Sequence, residues 1–402
     1  MKPLLYSLLP RPPHPTRDGL AIRNYHLLAA LASRFRVRAF CLRDPERAYG
    51  GGEFPPGVDA EFVPQAPRGA RRAGAALASL LSGGAYSERL YRSGRLARRV
   101  ASLARREEPR WIVAHAYHVA PAALGAGRPV WIDFHNLDSE IWERTAETAS
   151  AGGIRRFARL QAPRVRALER RLVASAAGVS CVSARDAAGL VALVAPRTAR
   201  PPLVVSNGVD LGRYPMRSDA APGERLLFVG DLSWPPNAEA VRWFAKDVWP
   251  RIQRARPAAR AEIVGRSAPR DLLRLASAGL SFAGDVPDTR PHWTAAAVAF
   301  VPLLAGGGTR LKILEAAACG VPVVATPVGA EGLEFAPERE IRLREDAAGF
   351  ADAVAALLAD PAAARAQAIA ARSRVEALYD WRRIGAEFAR SLEEDGTGEA
   401  RG

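Results

Sequence analysis

The order of hydrophobic and polar positions along the chain predicts strands that alternate with helices. Short apolar runs, each closed by glycine, proline or a polar residue, predict strands. These runs are 4–9, 37–42, 111–114, 130–133, 178–182, 203–205, 226–229, 261–264, 281–283, 298–302 and 321–325. Longer helical patterns fall at about 22–33, 154–177 (interrupted by Pro163), 237–254, 309–319 and 347–392. Such alternation is typical of parallel α/β sheets.

The length of the chain, 402 residues, favours two domains over one core. We place an acceptor-side Rossmann-like domain at 1–200 and a second, donor-side Rossmann-like domain at 201–375. The segment 376–402 is expected to form a helix that packs back on the first domain, followed by a disordered tail. Doubly wound sheets bind ligands at the carboxyl ends of their strands. We therefore expect the two domains to face each other across a ligand-binding cleft.

The formal charge of +15 is confined to one half of the sequence. Residues 1–200 carry a net charge of +16, whereas residues 201–402 carry −1. Only three of the 57 cationic residues are lysine, so the excess is arginine. Two interpretations remain open, a solvated surface that reflects a GC-rich genome and a surface for an anionic partner.

Cysteine usage and hydropathy point to a cytoplasmic protein. Cys41, Cys181 and Cys319 are too widely spaced for a disulfide scaffold or a zinc ribbon, and they suit a reducing compartment. The chain has no apolar run of 18 residues, and its first apolar stretch is too short for a signal peptide.

The most informative segment runs from a predicted strand through three glycines into a predicted helix. Glycines allow close backbone approach to an anion, and a helix N-terminus offers free N–H groups and partial positive charge. Cations in a first helical turn oppose the helix dipole, so they point to an anionic ligand such as a diphosphate. The candidate residues are Gly306, Gly307, Gly308, Thr309, Arg310, Lys312 and Glu315.

This segment, followed by Ala-Ala-Ala-Cys-Gly-Val-Pro-Val-Val, resembles the signature of glycosyltransferase family 4. Supporting matches occur in family order at 206–210, 228–231, 234–237, 263–265 and 282–288. The resemblance is dense over about 200–335 and looser before it. It implies an α/β protein of GT-B fold, with two Rossmann-like doubly wound domains, and a retaining transferase that uses a nucleotide sugar.

The resemblance also implies roles for single residues in the second half. Glu315 would bind the nucleotide ribose, and Gly306 to Thr309 would face the diphosphate or the donor sugar. Gly230 would lie at the donor site, and the loop with Asp285 and Val286 beside the base.

The second half departs from the family pattern in two places. Gly307 stands where the family often has a glutamate that grips the donor sugar. Asp231-Leu232-Ser233-Trp234 stands in place of the family's arginine and lysine. We therefore expect Arg310 and Lys312 to supply the phosphate-binding charge.

In the first half, two loops after predicted strands carry candidate residues. Asp18 and Gly19 precede a helix and form a candidate acceptor or phosphate loop. His135 follows the strand at 130–133, where the family has a histidine that contacts the donor sugar and assists transfer. Imidazole can donate or accept a proton near neutral pH. Its neighbour Asn136 is a further candidate, as are His115 and His118 with less support.

The arginines at 155–171 interleave with apolar residues on one predicted helix. Two interpretations remain open, a solvated helix over the core and a helix lying on an anionic membrane surface. The second interpretation would place the protein at the inner face of the membrane, near a lipid-linked acceptor.

We therefore expect transfer of a sugar from a nucleotide diphosphosugar to a hydroxyl of a glycan or lipid-linked acceptor, in polysaccharide or lipid-linked glycan synthesis. No cofactor or metal is expected, since no Asp-x-Asp motif occurs. A non-hydrolysing nucleotide-sugar epimerase of the same fold is the alternative enzyme. The non-enzymatic alternative is a basic nucleic-acid-binding protein, which no recognisable module supports, so no nucleic-acid partner is expected.

Overall fold

A computed structural model describes residues 2–44, 53–148, 152–194, 200–218, 223–306 and 309–395. The chain divides into two compact units. The first consists of Met1–Ser206 with Arg382–Gly402, and the second of Asn207–Trp381. The unit boundaries thus lie six residues beyond those expected at residues 200 and 375. The residues of the expected disordered tail, 396–402, lie outside the described ranges.

The first unit contains a seven-stranded, all-parallel sheet in the order β3-β2-β1-β4-β5-β6-β7. Its strands are β1 Leu4–Leu9, β2 Arg36–Arg43, β3 Val58–Pro64, β4 Trp111–Ala114, β5 Val130–Phe134, β6 Gly178–Cys181 and β7 Leu203–Val204. Its helices are α1 Gly19–Arg34, α2 Arg68–Ser82, α3 Tyr86–Tyr91, α4 Gly94–Glu107, α5 Pro121–Leu124, α6 Asp138–Thr148, α7 Gly152–Ser175 and α8 Ala184–Val194. A single 3₁₀ turn follows β4 at Tyr117–Val119.

The second unit contains a six-stranded parallel sheet in the order β10-β9-β8-β11-β12-β13. Its strands are β8 Arg225–Val229, β9 Arg260–Val264, β10 Leu280–Gly284, β11 Val298–Val301, β12 Val323–Ala325 and β13 Arg342–Leu343. Its helices are α9 Pro235–Trp243, α10 Trp249–Ala255, α11 Arg270–Leu273, α12 Arg290–Ala295, α13 Leu311–Ala318, α14 Ala347–Ala359 and α15 Pro361–Leu378. A π-helical turn at Phe244–Val248 joins α9 to α10, and a 3₁₀ turn lies at Val328–Ala330.

Buried strands explain why the apolar runs in the sequence are continuous. Every residue of β4, β5, β6, β11 and β12 is buried, as expected for central strands covered by helices on both faces. Close backbone contact also constrains the second sheet. A Cβ atom on Gly265 would lie 1.9 Å from the carbonyl oxygen of Gly230, so only glycine fits where β8 and β9 end.

Helix α7 runs through Pro163 without a break, although the sequence predicted an interruption there. Proline removes one helical hydrogen bond and usually kinks a helix. Here the residues on either side of it are anchored, because Gln161 donates to Ser79 Oγ at 2.9 Å and Arg164 donates to the Ser79 carbonyl oxygen at 2.6 Å.

The last helix, α16 (Trp381–Asp395), packs on the first unit. The Phe388 ring lies 6.1 Å from the ring of Trp131 in an edge-on arrangement. Trp111 Nε1 donates to the Leu392 carbonyl oxygen at 2.8 Å, and Arg110 donates to the Glu393 carbonyl oxygen at 2.7 Å. The C-terminal end of the described chain thus completes the core of the N-terminal unit.

Among the described residues, no single helix has the length and apolar character needed to cross a membrane. Helices α14 and α15 meet those criteria only as a pair, and a bend of 104° separates them.

Replacing Phe388 with alanine is expected to destabilise the first unit by about 3–5 kcal/mol, because the ring is 1% exposed and its loss leaves a cavity beside Trp131. Urea unfolding followed by circular dichroism measures the change. Arg383→Ala on the exposed face of the same helix is the control, with an expected change below about 1 kcal/mol. A loss below about 1 kcal/mol for Phe388→Ala would contradict packing of α16 on this unit.

Candidate functional site

The strand order of the second sheet reverses between β8 and β11, which lie side by side. The loops after these two strands leave towards opposite faces of the sheet, and α/β proteins bind ligands at the edge where this happens. Gly230 follows β8 directly, and the segment that contains Gly306 follows β11. The fold therefore brings candidate residues from two separate loops to one edge.

Helix α13 begins at Leu311, two residues later than the sequence predicted. Arg310 is its N-cap, in an extended conformation with φ −96° and ψ 97°. Thr309 lies before the helix, where its Oγ1 accepts a hydrogen bond of 2.6 Å from Asn207 Nδ2. This bond holds Thr309 outside the helix. Thr309, Arg310 and Lys312 were all expected in the first turn of this helix, but only Lys312 lies within it.

Gly306 provides the space that the Arg310 side chain occupies. Its φ of +134° lies in a region that other residues rarely adopt. A Cβ atom there would lie 2.8 Å from Arg310 Nη2 and 3.1 Å from the Trp234 ring. Arg310 is 5% exposed, and its guanidinium carbon lies 5.9 Å from the centre of that ring. Gly307 and Gly308 lie outside the described residues.

The Lys312 ammonium points towards Gly230. Its Nζ donates to Asn237 Oδ1 at 3.0 Å and lies 3.8 Å from the centre of the Phe228 ring. A Cβ atom on Gly230 would come within 2.8 Å of this Nζ. Burial lowers the pKa of Lys312 well below its ordinary value, and the charge of Arg310 lowers it further. Within the described ranges no carboxylate forms an ion pair with Lys312, so an anion at this edge would find an uncompensated cation.

Glu315 is held by two aromatic side chains that sequence reasoning did not select. Its Oε2 accepts a hydrogen bond of 3.2 Å from Trp293 Nε1, and the Tyr214 hydroxyl also bonds to it. Burial raises the pKa of Glu315 to about 7, although these hydrogen bonds and the charge of Lys312 act in the opposite direction. Once ionised, the carboxylate can accept hydrogen bonds from a diol.

A further cation lies close to the end of β8. Arg266, in the loop after β9, donates to Asp231 Oδ2 through Nε at 2.8 Å. Burial would raise the pKa of Asp231, but hydrogen bonds from Ser233 and Arg266 outweigh it and lower the pKa. Arg266 thus brings a guanidinium next to the sequence position where the family's arginine and lysine are missing. The sequence did not predict this contact, because Arg266 and Asp231 are 35 residues apart.

The loop after β10 contributes unequally. Val286 is half-buried and packs against the apolar cluster that contains Tyr214 and Trp293, the two partners of Glu315. Asp285 is exposed and lies outside this set of contacts. The structure therefore associates Val286, but not Asp285, with the surroundings of Glu315.

In the first unit, the loop after β1 ends at a capped helix. Asp18 is the N-cap of α1, and its Oδ1 accepts a hydrogen bond of 3.1 Å from Ala21 N. Asp18 also pairs with Arg11, and Gly19 is the first residue of the helix. These contacts account for Asp18 as a structural residue that caps the helix. Gly19, the first residue of the helix, has no side chain to cover the backbone there.

A buried ion pair supports the loop that carries His135. Arg23 of α1 donates to Asp133 through Nε at 2.8 Å and Nη2 at 2.7 Å, and Ser180 Oγ donates to the same carboxylate at 2.7 Å. Burial would raise the pKa of Asp133, but the charge and hydrogen bonds of Arg23 hold it well below its ordinary value. Sequence reasoning missed Arg23, which lies 110 residues from its partner.

His135 lies at the carboxyl end of β5, as predicted, with Nε2 3.1 Å from Asp133 Oδ2. Burial lowers the pKa of this imidazole, and the nearby Asp133 opposes that effect in part. The ring is therefore neutral at pH 7 and lies beside a permanently ionised carboxylate. Asn136 follows it and bonds to Asp138.

The two further histidine candidates differ in their surroundings. His115 is fully buried, with Nε2 3.3 Å from Ser7 Oγ. His118 lies in the 3₁₀ turn after β4 and stacks on the ring of Tyr91. Burial lowers the pKa of both to about 3. His115 is a residue of the core, whereas His118 lies just beyond the carboxyl end of β4.

Within the described part of the chain, no group of three or more histidine, cysteine, aspartate or glutamate residues is arranged to hold a metal ion.

Comparison with known protein families gives two matches in tandem. Residues 17–213 match Glycosyltransferase Family 4, and residues 223–360 match Glycosyl transferases group 1. Among curated proteins, the glycogen synthase of Mycobacterium tuberculosis is 32% identical over 204 residues. This match covers 45% of the chain and 45% of the relative, so the chain aligns with less than half of the length of that enzyme.

Solved structures resemble the whole chain. Sucrose-phosphate synthase from Thermosynechococcus elongatus has a TM-score of 0.73 at 20% identity, with 97% of this chain and 98% of that chain covered. HepE of Anabaena, solved with UDP and glucose, has a TM-score of 0.68 at 16% identity, with 98% and 100% covered. The two parallel sheets, the family matches and these neighbours agree, and the chain belongs to glycosyltransferase family 4 and has the GT-B fold.

Proposed function

We propose that this chain is a retaining glycosyltransferase that moves a sugar from a nucleotide diphosphosugar to a hydroxyl of a glycan or lipid-linked acceptor. The observation that carries the proposal is the Lys312 ammonium, placed at the N-terminal end of α13 with no carboxylate of the described residues paired to it. A cation at this end of a helix is repelled by the positive end of the helix dipole. A bound diphosphate would be attracted by both the cation and the dipole, and would offset that repulsion.

In this proposal the donor's diphosphate lies against the start of α13. Breaking the bond between the sugar C1 and the diphosphate leaves negative charge on the leaving group. Arg310, Lys312 and the first N–H groups of α13 would stabilise that charge. Glu315 would accept hydrogen bonds from the ribose diol, and Val286 would pack near the base. HepE, which shares the fold, was solved with UDP-glucose, which supports a nucleotide sugar as the ligand.

The acceptor hydroxyl oxygen would bond to C1 on the face that the diphosphate leaves, and its proton would pass to the departing diphosphate. His135 would contact the donor sugar as a neutral imidazole. Asp133, which Arg23 holds ionised, would orient that ring from 3.1 Å away. Positioning and charge stabilisation supply the rate enhancement in this scheme. No metal takes part in it.

A thermal-shift panel of UDP-, GDP-, ADP- and dTDP-sugars tests donor binding. We expect one nucleotide sugar to raise the melting temperature selectively, since a ligand at about 100 times its Kd stabilises the native state by about 2.7 kcal/mol. The shift should be the same in EDTA and in magnesium, because no metal is proposed. The absence of a shift with every nucleotide sugar would contradict the proposal.

The variant for this panel replaces both Arg310 and Lys312 with alanine. We expect donor affinity to fall at least tenfold, because one lost charge-assisted hydrogen bond is worth about 1.5–3 kcal/mol. The matched control replaces the exposed Arg270, the first residue of α11, and the exposed Arg274, which caps the end of that helix. It removes the same charge elsewhere on the unit. Unchanged affinity in the Arg310/Lys312 variant would show that these cations do not bind the donor.

Exposed apolar side chains favour a different helix for membrane contact than the one selected from the sequence. Val165, Leu168 and Leu172 of α7 are buried, so this arginine-rich helix exposes no wide apolar face. The adjacent helix α2 does expose one. Its Leu77, Leu80 and Leu81 are 59%, 53% and 79% exposed, and they share one helical face.

Arginines surround this leucine face, and α2 itself contains no acidic residue. Arg89 donates to Ser82 Oγ at 2.9 Å, and Arg164 donates to the Ser79 carbonyl oxygen at 2.6 Å. Apolar side chains flanked by cations suit the surface of an anionic bilayer. We therefore propose that α2 binds the inner face of a membrane, where a lipid-linked acceptor would be found.

Liposome flotation tests this contact. We expect the protein to float with vesicles that contain phosphatidylglycerol but not with vesicles of pure phosphatidylcholine. The triple variant L77Q/L80Q/L81Q should lose at least tenfold in membrane affinity, because each leucine buried in the membrane contributes more than about 1 kcal/mol. The control is Leu273→Gln with Ile369→Gln, two apolar residues of the second unit that are 45% and 47% exposed. If the unmodified protein does not bind anionic vesicles, or the triple variant binds equally, the proposal is wrong.

A further inference from the structure

The chain turns abruptly after β4 in a way that costs conformational energy. Ala116 has φ +143° and ψ +141°, a region that is favourable only for glycine. Alanine is held there because both neighbouring segments are fixed. His115 N donates to the Leu8 carbonyl oxygen at 2.9 Å, and Val119 N donates to the Ala116 carbonyl oxygen at 3.2 Å. The strained residue places the next side chains, Tyr117 and His118, at the end of the strand.

Packing fixes the ring of His118. It stacks on Tyr91 of α3, with ring centres 4.0 Å apart and an angle of 28° between the planes. Tyr117 meets it edge-on at 5.1 Å. The Tyr117 hydroxyl donates to Asp138 Oδ2 at 2.9 Å and accepts from Ser87 Oγ at 2.8 Å, so the supporting ring is itself anchored. The orientation of the imidazole is therefore set before any ligand binds.

The polar atoms of this fixed ring have no hydrogen-bond partner. Both Nδ1 and Nε2 of His118 are buried, and neither bonds to any residue that the structure describes. His115, three residues earlier, differs because its Nε2 lies 3.3 Å from Ser7 Oγ. Buried polar atoms are usually bonded, so a fixed ring with two unbonded nitrogens is arranged for a partner from outside the chain.

The charge state of the ring limits what that partner is. Burial lowers the pKa of His118 to about 3, and the nearby side chains of His135 and Arg11 act in the same direction. A neutral imidazole offers one N–H donor and one lone pair. A sugar hydroxyl both donates and accepts, so neighbouring hydroxyls match this edge. A phosphate or carboxylate would not, since it only accepts.

His118 also lies on the correct side of the first unit for the transfer reaction. It follows β4, and His135 follows β5, the neighbouring parallel strand, with Ala114 paired to Ile132. The two histidines are close enough for the charge of one to lower the pKa of the other. The end of β4 thus borders the residue assigned to the donor sugar.

We propose that His118, supported by Tyr91, is a specificity-determining residue that binds neighbouring hydroxyls of a neutral acceptor sugar. This inference rests on the proposed function, because it assumes that a sugar is transferred to an acceptor. It adds that the acceptor has an uncharged sugar ring at the position next to His135.

Two variants separate the nitrogens from the ring. His118→Phe keeps an aromatic ring against Tyr91 but removes both nitrogens. His118→Asn loses the ring but keeps one donor and one acceptor. His292→Phe is the control, since this histidine lies in the second unit and pairs with Glu262 at 3.0 Å. Melting temperatures of all variants show whether each one folds.

The assay measures nucleotide release from the donor identified in the thermal-shift panel, with and without octyl glucoside, octyl galactoside or octyl mannoside as acceptor. We expect one glycoside to accelerate release. His118→Phe should raise the KM for that glycoside at least tenfold, and leave kcat, donor affinity and the acceptor-free release rate unchanged. His118→Asn should restore part of the affinity.

The outcomes separate this inference from the function on which it rests. If no nucleotide sugar binds to the unmodified protein, the proposed function itself fails. If a donor binds and is turned over, but no neutral glycoside accelerates release, the inference about the acceptor is wrong. An unchanged acceptor KM in His118→Phe would likewise overturn it.

Discussion

The charge of Lys312, which no carboxylate of the described residues pairs with, is the constraint on which the rest of the candidate donor site depends. Lys312 is directed towards the end of β8 by an amide, Asn237, and an aromatic ring, Phe228, rather than by a carboxylate. Its ammonium lies where a side chain on Gly230 would crowd it, since a Cβ atom there would be 2.8 Å from Nζ. The carboxyl group on the same helix, Glu315, is oriented by Trp293 and remains available to a ligand.

Backbone packing explains why these side chains converge. A glycine directly follows each of the strands β8 and β9, and a side chain on Gly265 would collide with the Gly230 carbonyl oxygen. The same close approach lets Arg266 reach Asp231 across the strand ends. In the first unit a buried ion pair, rather than close backbone packing, brings the candidate residues into position. There the buried pair of Arg23 and Asp133 ties α1 to β5 and fixes the loop that carries His135.

The sequence predicted the parts of the fold that depend on local pattern. Buried central strands such as β5 and β11 read as continuous apolar runs because helices cover both of their faces. The helices α2, α3 and α4 and the strand β3 were not predicted. Strand β3 is only partly buried, and arginine and alanine dominate the helix sequences. Helix α4 nevertheless buries Leu96, Val100, Leu103 and Ala104 at a helical period, so its sequence did contain a signal for the helix.

The candidate site was predictable where its residues are adjacent in sequence, as in the segment from Gly306 to Glu315. The partners that orient these residues were not, because they come from distant parts of the chain. Arg23 and Asp133 are 110 positions apart, and Trp293 lies on another helix from Glu315. The predicted start of α13 was two residues too early, and Thr309, which lies before the helix, is bonded to Asn207, 102 residues away.

The most direct test of the account is the affinity of the chain for the nucleoside, nucleoside monophosphate and nucleoside diphosphate of its donor, measured by isothermal titration calorimetry at constant salt. If the cations at the start of α13 bind the diphosphate, the nucleoside diphosphate should bind roughly 100-fold more tightly than the nucleoside. About 3 kcal/mol of charge-assisted hydrogen bonding would give this ratio. Equal affinities for the nucleoside and its diphosphate would contradict the account.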